Sequence, residues 1–306
     1  MDPDAAAQND VTSLHLACRA GHEEVVRLLL EAGANAAATT HKNCTALGMA
    51  AEGGHARVVE VLLTWGLGSG VHPNGGADDD AGGGGGVSLE LRAGAYEPAA
   101  RSTLDAGDAY GCKPLLLAAA CGSVETVLVL LKHGAKVDGR DNNDRTALIR
   151  CAYDGFVKVG LTLIEASADV NAFDKIGNTA LISASGYGHK GTVTALLQAG
   201  ADIDGIRVGD QRTPLIRACL YGHYATAHEL LAHGAARDPR DVDGRTAGDI
   251  LLEEVSRART AAADTGRGYK DGPDDEGDEA RLALFRELGL PNALDRVGKA
   301  QGWKQS

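Results

Sequence analysis

The sequence predicts an all-α solenoid of stacked helix pairs, and three observations carry that expectation. First, one pattern returns seven times: a Thr-containing turn, a Leu two residues on, a small residue three further on, then Gly, a Leu pair and a second Gly. Taking the Thr-like position as the mark, it falls at Thr12, Thr45, Lys113, Thr146, Thr179, Thr213 and Thr246. Second, the steps between marks are 33 or 34 residues, except that Thr45 to Lys113 is one period with an insert of 35. Self-similarity at that period signals a stacked helical array. Third, the spacing inside each copy is helical: Leu14, Leu47, Leu115, Leu148, Leu181 and Leu215 precede Ala17, Ala50, Ala118, Cys151, Ala184 and Ala218 by three residues, which sets a large and a small apolar group on one face. An array has no central pocket, so surface binding is the function such a chain is built for.

The elements follow in order. A small residue at the second position lets the next copy's backbone come close. Nine residues after each mark, Gly at 21, 54, 122, 155, 188 and 222 ends the first helix in a left-handed cap that other residues adopt only with strain. A second helix closes on Leu29-Leu30, Leu62-Leu63, Leu130-Leu131, Leu163-Ile164, Leu196-Leu197 and Leu230-Leu231, and Gly at 33, 66, 134, 200 and 234 stops it. The fourth copy has Ser167 there, which makes that turn the expected weakest joint.

These copies resemble the ankyrin repeat, whose unit is a β-turn plus two antiparallel helices with a Thr-Pro-Leu-His-x-Ala core. The nearest matches are Ser13-Leu14-His15-Leu16-Ala17, Thr213-Pro214-Leu215-Ile216-Arg217-Ala218 and Thr179-Ala180-Leu181. The resemblance covers residues 8 to 66 and 108 to 252 and implies an ankyrin-repeat solenoid. The last copy departs from it, with Gly248 for Leu and Val255 for the helix-ending Gly. It reads as a capping repeat whose second helix has moved to Ala280–Leu288. The expected organisation is two repeats over 1–66, a flexible Gly/Asp-rich insert over 67–107, and repeats three to six with the start of the cap over 108–252. An acidic linker over 253–279, a terminal helix over 280–290 and a disordered tail over 291–306 follow.

Composition agrees with one elongated unit. Only three Phe and two Trp occur, because such helices pack through Leu, Val and Ala, and in a solenoid length adds repeats rather than a deeper core. The net charge of −12 argues against a nucleic-acid surface, which needs clustered Lys and Arg, and favours a basic or neutral partner. No apolar run reaches a membrane span. The start, Met1-Asp2-Pro3-Asp4, lacks the basic and apolar regions of a secretory signal, so a cytoplasmic or nuclear location is expected.

Neither cysteine nor histidine converges on chemistry. Cys18, Cys151 and Cys219 occupy the small-residue positions of first helices, and the six cysteines include no Cys-x-x-Cys pair, which reads as core thiols in a reducing compartment. His22, His55, His189 and His223 follow the helix-ending Gly, His15 sits at the repeat's own His position, and His133 and His233 precede the second Gly. An imidazole at such places can bond turn backbone, and histidines one layer apart cannot meet on a metal or a substrate. No catalytic residue, metal or cofactor is expected. The five glycines from Gly82 to Gly86 lack the Gly-Lys-Ser/Thr ending of a phosphate loop, and Asp271 to Glu279 lacks the alternate-ligand spacing of a calcium loop.

The ankyrin resemblance implies that a partner sits on the turn tips and the exposed face of the first helices. Carried onto this chain, the expected contact residues are Lys42, Tyr110, Arg145, Lys175, Ile176 and Arg212 at the tips and Tyr153, Asp154, Tyr187 and Tyr221 on the helices. The three tyrosines stand seven or eight residues after successive marks and should form a ladder. Tyr and Arg suit that task because they desolvate a large rigid area and keep a polar tip. The run Leu163 to Ala172 also resembles the Asp-Val-Asn-Ala sequence at which some ankyrin proteins are hydroxylated on Asn, which makes Asn171 a candidate modification site. The ordinary role of such an Asn is to bond turn backbone. The expected function is a non-enzymatic scaffold or adaptor, a monomer that holds a protein or peptide in its concave groove. The alternative is a regulatory or targeting segment of a larger multidomain protein.

Overall fold

The computed structural model describes residues 4–65, 103–253 and 275–290, with side chains described from 280 onward in the last stretch. It is helical, and among the described residues β pairing is confined to isolated antiparallel bridges, Thr39 with Thr45 and Phe173 with Thr179, each closing a turn tip. Two compact units form: Met1–Ala147 with Glu165–Ala168, and Leu148–Ile164 with Asp169–Ser306.

In the first unit a short 3-10 turn, Gln8–Asp10, leads into three helix pairs: α1 (Ser13–Ala20) and α2 (Glu23–Glu31), α3 (Ala46–Glu52) and α4 (Ala56–Thr64), α5 (Pro114–Cys121) and α6 (Val124–Lys132). First helices stack on first helices, α1 on α3 on α5, and second helices on second, α2 on α4 on α6. The second unit begins with α7 (Ala147–Asp154) and α8 (Val157–Glu165). It continues through α9 (Ala180–Gly186), α10 (Lys190–Gln198), α11 (Pro214–Leu220) and α12 (Tyr224–Ala232). Helix α13 begins at 247 and is described as far as 253, and α14 (Asp275–Glu287) packs on α12.

The recurring residues do what their spacing requires. The Leu of every first helix from Leu14 to Leu215 is at most 1% exposed, and the small residue beside it is buried. One member of each second-helix pair, such as Leu30, Leu130, Leu163, Leu196 and Leu230, is sealed against its neighbours. Each such side chain removed from water stabilises the stack by about 1.5–3 kcal/mol. The Thr marks cap the first helices: the hydroxyls of Thr45, Thr179 and Thr213 accept the N–H groups of Gly48, Ile182 and Ile216. At Thr12 a capping box forms with His15, whose Nδ1 accepts the Thr12 N–H. Its Nε2 must therefore carry the proton and donate to the Ala38 carbonyl, 3.1 Å away.

The histidines after the helix-ending glycines tie one repeat to the next. His55 Nε2 donates to the Arg19 carbonyl at 3.0 Å, His189 to that of Tyr153 at 2.9 Å, and His223 to that of Gly186 at 3.1 Å. These carbonyls belong to the last turn of the preceding first helix, where no helical partner remains. His133 differs from the expectation: its Nε2 meets the Glu60 carboxylate at 3.1 Å rather than turn backbone.

Three boundaries differ from the sequence reading. Residues 103–107, assigned to the insert, belong to the body of the first unit: Thr103 and Leu104 are buried, and the Asp105 carboxylate accepts the Lys136 N–H. The last helix begins at Asp275 rather than 280, so residues 275–279 are not linker; their Asp and Glu residues favour the positive end of a helix. The linker's first residue, Glu253, lies within α13. Gly66, the rest of the insert from 67 to 102, Val255, the linker over 254–274 and the tail over 291–306 lie outside the described residues.

Gly248 has a physical reason that the sequence did not reveal. A Cβ at that position would come within 3.1 Å of Leu290 Cδ1, so a leucine from beyond α14 fills the place of the missing repeat leucine. Ser167 takes the left-handed conformation of the glycines it replaces, with φ +67°. That conformation strains a side-chain-bearing residue, so Ser167→Gly is expected to stabilise the protein by about 1 kcal/mol. The check is the midpoint of urea unfolding, which should rise with no change in slope.

Candidate docking surface

Five of the turn tips are built around one side chain five residues before the mark, whereas Val208 stands there before Thr213 and Asp210 accepts the Arg212 N–H instead. The Asp108 carboxylate accepts the N–H groups of Tyr110 and Cys112, Asp141 those of Asn143 and Arg145, Asp174 those of Ile176 and Asn178, and Asp241 those of Asp243 and Arg245. In the second copy the Thr40 hydroxyl does the same for Lys42 and Cys44. This position recurs with the period of the array, and sequence reasoning passed over it. Adjacent tips are also joined by backbone bonds, Ala109 N–H to the Lys42 carbonyl at 2.7 Å and Asn142 N–H to that of Tyr110 at 2.9 Å.

The expected contact residues divide between the units. In the first unit Lys42 and Tyr110 border a cleft of roughly 320 Å³, together with Arg19, Glu52 and Asp108. Arg145, also in this unit, is committed elsewhere: its guanidinium holds the buried Asp141 carboxylate at 2.7 Å. In the second unit Arg212 lies 3.4 Å from Asp210 and 3.5 Å from Asp241. Both arginines hold tips together rather than standing free for a partner.

Of the three tyrosines expected to form a ladder, Tyr153 and Tyr187 pair directly in the second unit and Tyr221 is joined to Arg217. The rings of Tyr153 and Tyr187 lie 4.1 Å apart between centroids, Tyr187 stacks on His189 at 6.4 Å, and the Arg217 guanidinium sits 5.3 Å over the Tyr221 ring. A hydrogen bond with the Tyr153 hydroxyl, reinforced by burial, pushes the Tyr187 phenol up to about 12, so it stays a neutral donor at any physiological pH. All three tyrosines remain about half exposed, and Ile176 and Lys175 project from a tip of the same unit. Asp154 is exposed at the last position of α7, beside Tyr153. Exposed aromatic rings held in register are a large apolar area already ordered before anything binds.

Other candidates carry structural roles. The Asn171 side-chain oxygen accepts the Asp202 N–H at 2.8 Å and so links its turn to the next repeat. Burial pushes the thiols of Cys18 and Cys151 up to about 12, which keeps them protonated and poorly nucleophilic. Among the described residues there is no cluster of three or more His, Cys, Asp or Glu able to hold a metal ion, and no helix long and apolar enough to cross a membrane.

The sequence profile described as "Ankyrin repeats (3 copies)" matches residues 1–74, 92–174, 138–207 and 162–243. Among solved structures, the crystal structure of the human ASB11 ankyrin repeat domain is similar at a TM-score of 0.63 and 21% identity, over 90% of this chain and 98% of that one. At that identity the likeness is one of fold. No curated protein matches the chain in sequence.

Proposed function

Because the chain belongs to the ankyrin repeat family, whose members generally serve as protein–protein interaction modules, we propose that it is a non-enzymatic scaffold that holds a protein or peptide on the first-helix face of its second unit. The observation that carries this reading is the half-exposed trio of Tyr153, Tyr187 and Tyr221 with Arg217 laid on its last ring. Such a surface gains by being covered, since large rigid rings desolvate at little cost in side-chain entropy.

The double variant Tyr187→Ala with Tyr221→Ala is expected to reduce capture of partners from native lysate about tenfold or more, because central aromatic anchors each carry upwards of 1 kcal/mol of binding. Its melting temperature should fall by no more than a few degrees, as both rings are half exposed. Arg145 is a poor choice for this test, since removing it strands the buried Asp141 carboxylate. Quantitative mass spectrometry of the captured proteins is the measurement. Unchanged capture would place the docking face elsewhere.

A further inference from the structure

The charge on this face differs in sign from the charge of the chain. The whole sequence carries −12, yet α7, α9 and α11 together contain two arginines, Arg150 and Arg217, and a single acid, Asp154. Among the described residues neither guanidinium has a hydrogen bond or a carboxylate partner, and both side chains are half-buried. The neighbouring tip arginines are the contrast: Arg207 is neutralised by Asp210, Arg212 by Asp210 and Asp241, and Arg245 by Asp241 and Asp243.

Arg217 is also held in place. A Cβ on Gly186 would lie 2.9 Å from its Nε and 3.0 Å from its Nη2, so the guanidinium rests against bare backbone of α9 on one side. The Tyr221 ring supports it on the other, and Tyr187 lies within its electrostatic reach. Its Nε is buried with no acceptor. A buried donor left unpaired is unfavourable, and in native proteins it calls for an explanation. The guanidinium is thus fixed between α9 and the Tyr221 ring, half-buried, and without a carboxylate partner among the described residues, which leaves it ready to pair with an acid from outside.

We propose that the first-helix face of the second unit binds an acidic peptide segment, with a carboxylate side chain paired to Arg217 and apolar neighbours laid on Tyr187 and Tyr221. This rests on the docking face proposed above and reverses the expectation of a basic or neutral partner that net charge alone suggests. A carboxylate matches one guanidinium in charge and can bond it through both oxygens. A phosphate, with nearly twice the charge, calls for paired cations, and Arg150 stands two repeats away. Arg150 gives the groove a second positive point, so a bound segment spanning both carries acids at separated positions.

The test is selection of a phage-displayed library of random dodecapeptides on the full chain. The most enriched sequence is then made as a fluorescein-labelled peptide and titrated by fluorescence anisotropy. Enriched sequences are expected to be rich in Asp and Glu, and Arg217→Gln is expected to weaken binding about tenfold or more. Changing the peptide's key acid to its amide should cause a similar loss with the wild type and little further loss with the variant. Should Arg217→Gln melt early, Arg217→Lys keeps the charge, loses the two-point bond and is expected to give a smaller loss. No enrichment, enrichment of neutral or basic sequences, or an unchanged Kd for both Arg217 variants overturns the proposal. Tyr187→Ala separates the two levels: neutral peptides that still depend on Tyr187 sink the acidic occupant alone, whereas peptides indifferent to Tyr187 and Tyr221 sink the docking face as well.

Discussion

Gly188→Ala is expected to destabilise the second unit by about 2–4 kcal/mol, through two effects that can be separated. Gly188 has φ +76°, a conformation that strains any residue with a Cβ. A methyl group there would also stand 2.5 Å from His223 Nδ1 and 2.8 Å from its Cγ, so the imidazole must leave. With it goes the Nε2–H bond to the Gly186 carbonyl, which leaves an orphaned acceptor in the last turn of α9. The control is Gly234→Ala, at φ +91° with nothing within 4 Å of the added methyl, where backbone strain of about 1 kcal/mol acts alone. Urea unfolding of both variants should place Gly188→Ala well below Gly234→Ala. Adding His223→Ala should cost the wild type more than it costs the Gly188→Ala protein, because the bond is already broken there. Equal effects of the two glycine changes would mean that the imidazole has somewhere else to go.

That comparison marks where the sequence was legible and where it was not. The helix-ending glycines and the buried Leu and Ala positions could be read because each is imposed by the backbone of its own repeat and so returns every 33 residues. The closeness of Gly188 to His223 could not, since it depends on how one repeat stacks on the next. Leu290 filling the space above Gly248 was invisible for a similar reason: the two are far apart in the chain and Leu290 belongs to no repeat. The arginines engaged within their own turn tips had a local signal. Arg145 and Arg245 each stand four residues after an Asp, at 141 and 241, while Arg217 has Thr213, Pro214, Leu220 and Tyr221 at the neighbouring helical positions and no acid among them. Ion pairing within one turn tip thus separates structural arginines from available ones, and composition or net charge cannot.

Asp241→Ala should be the most damaging single change in the capping repeat, at about 3–5 kcal/mol. Its side chain is wholly buried. One oxygen takes the N–H groups of Asp243 and Arg245, both at 3.0 Å, and the other meets Arg245 Nη2 at 2.8 Å with Arg212 Nε at 3.5 Å. Alanine would leave two turn-tip amides without acceptors and two guanidinium groups short of their counter-charge. Asp241→Asn keeps one acceptor oxygen and should lose less. The same group makes the cap acid-sensitive. Burial opposes ionisation of Asp241, but the hydrogen bonds and charge of Arg245 outweigh it and hold the carboxyl below its ordinary value of 3.8. Asp249 is held down as well, by the backbone N–H and the hydroxyl of Thr246. A depressed carboxyl contributes stability that is complete above the unfolded-state value and disappears as pH falls through the folded-state one. Stability should therefore drop as pH falls below about 4, with hydrogen exchange rising first over 247–253 and 275–290. In Asp241→Asn the acid-dependent slope should be shallower, because one of the two protonation sites is gone. An unchanged slope would mean that Asp241 is not ionised in the native protein, which would remove the electrostatic basis for the cap.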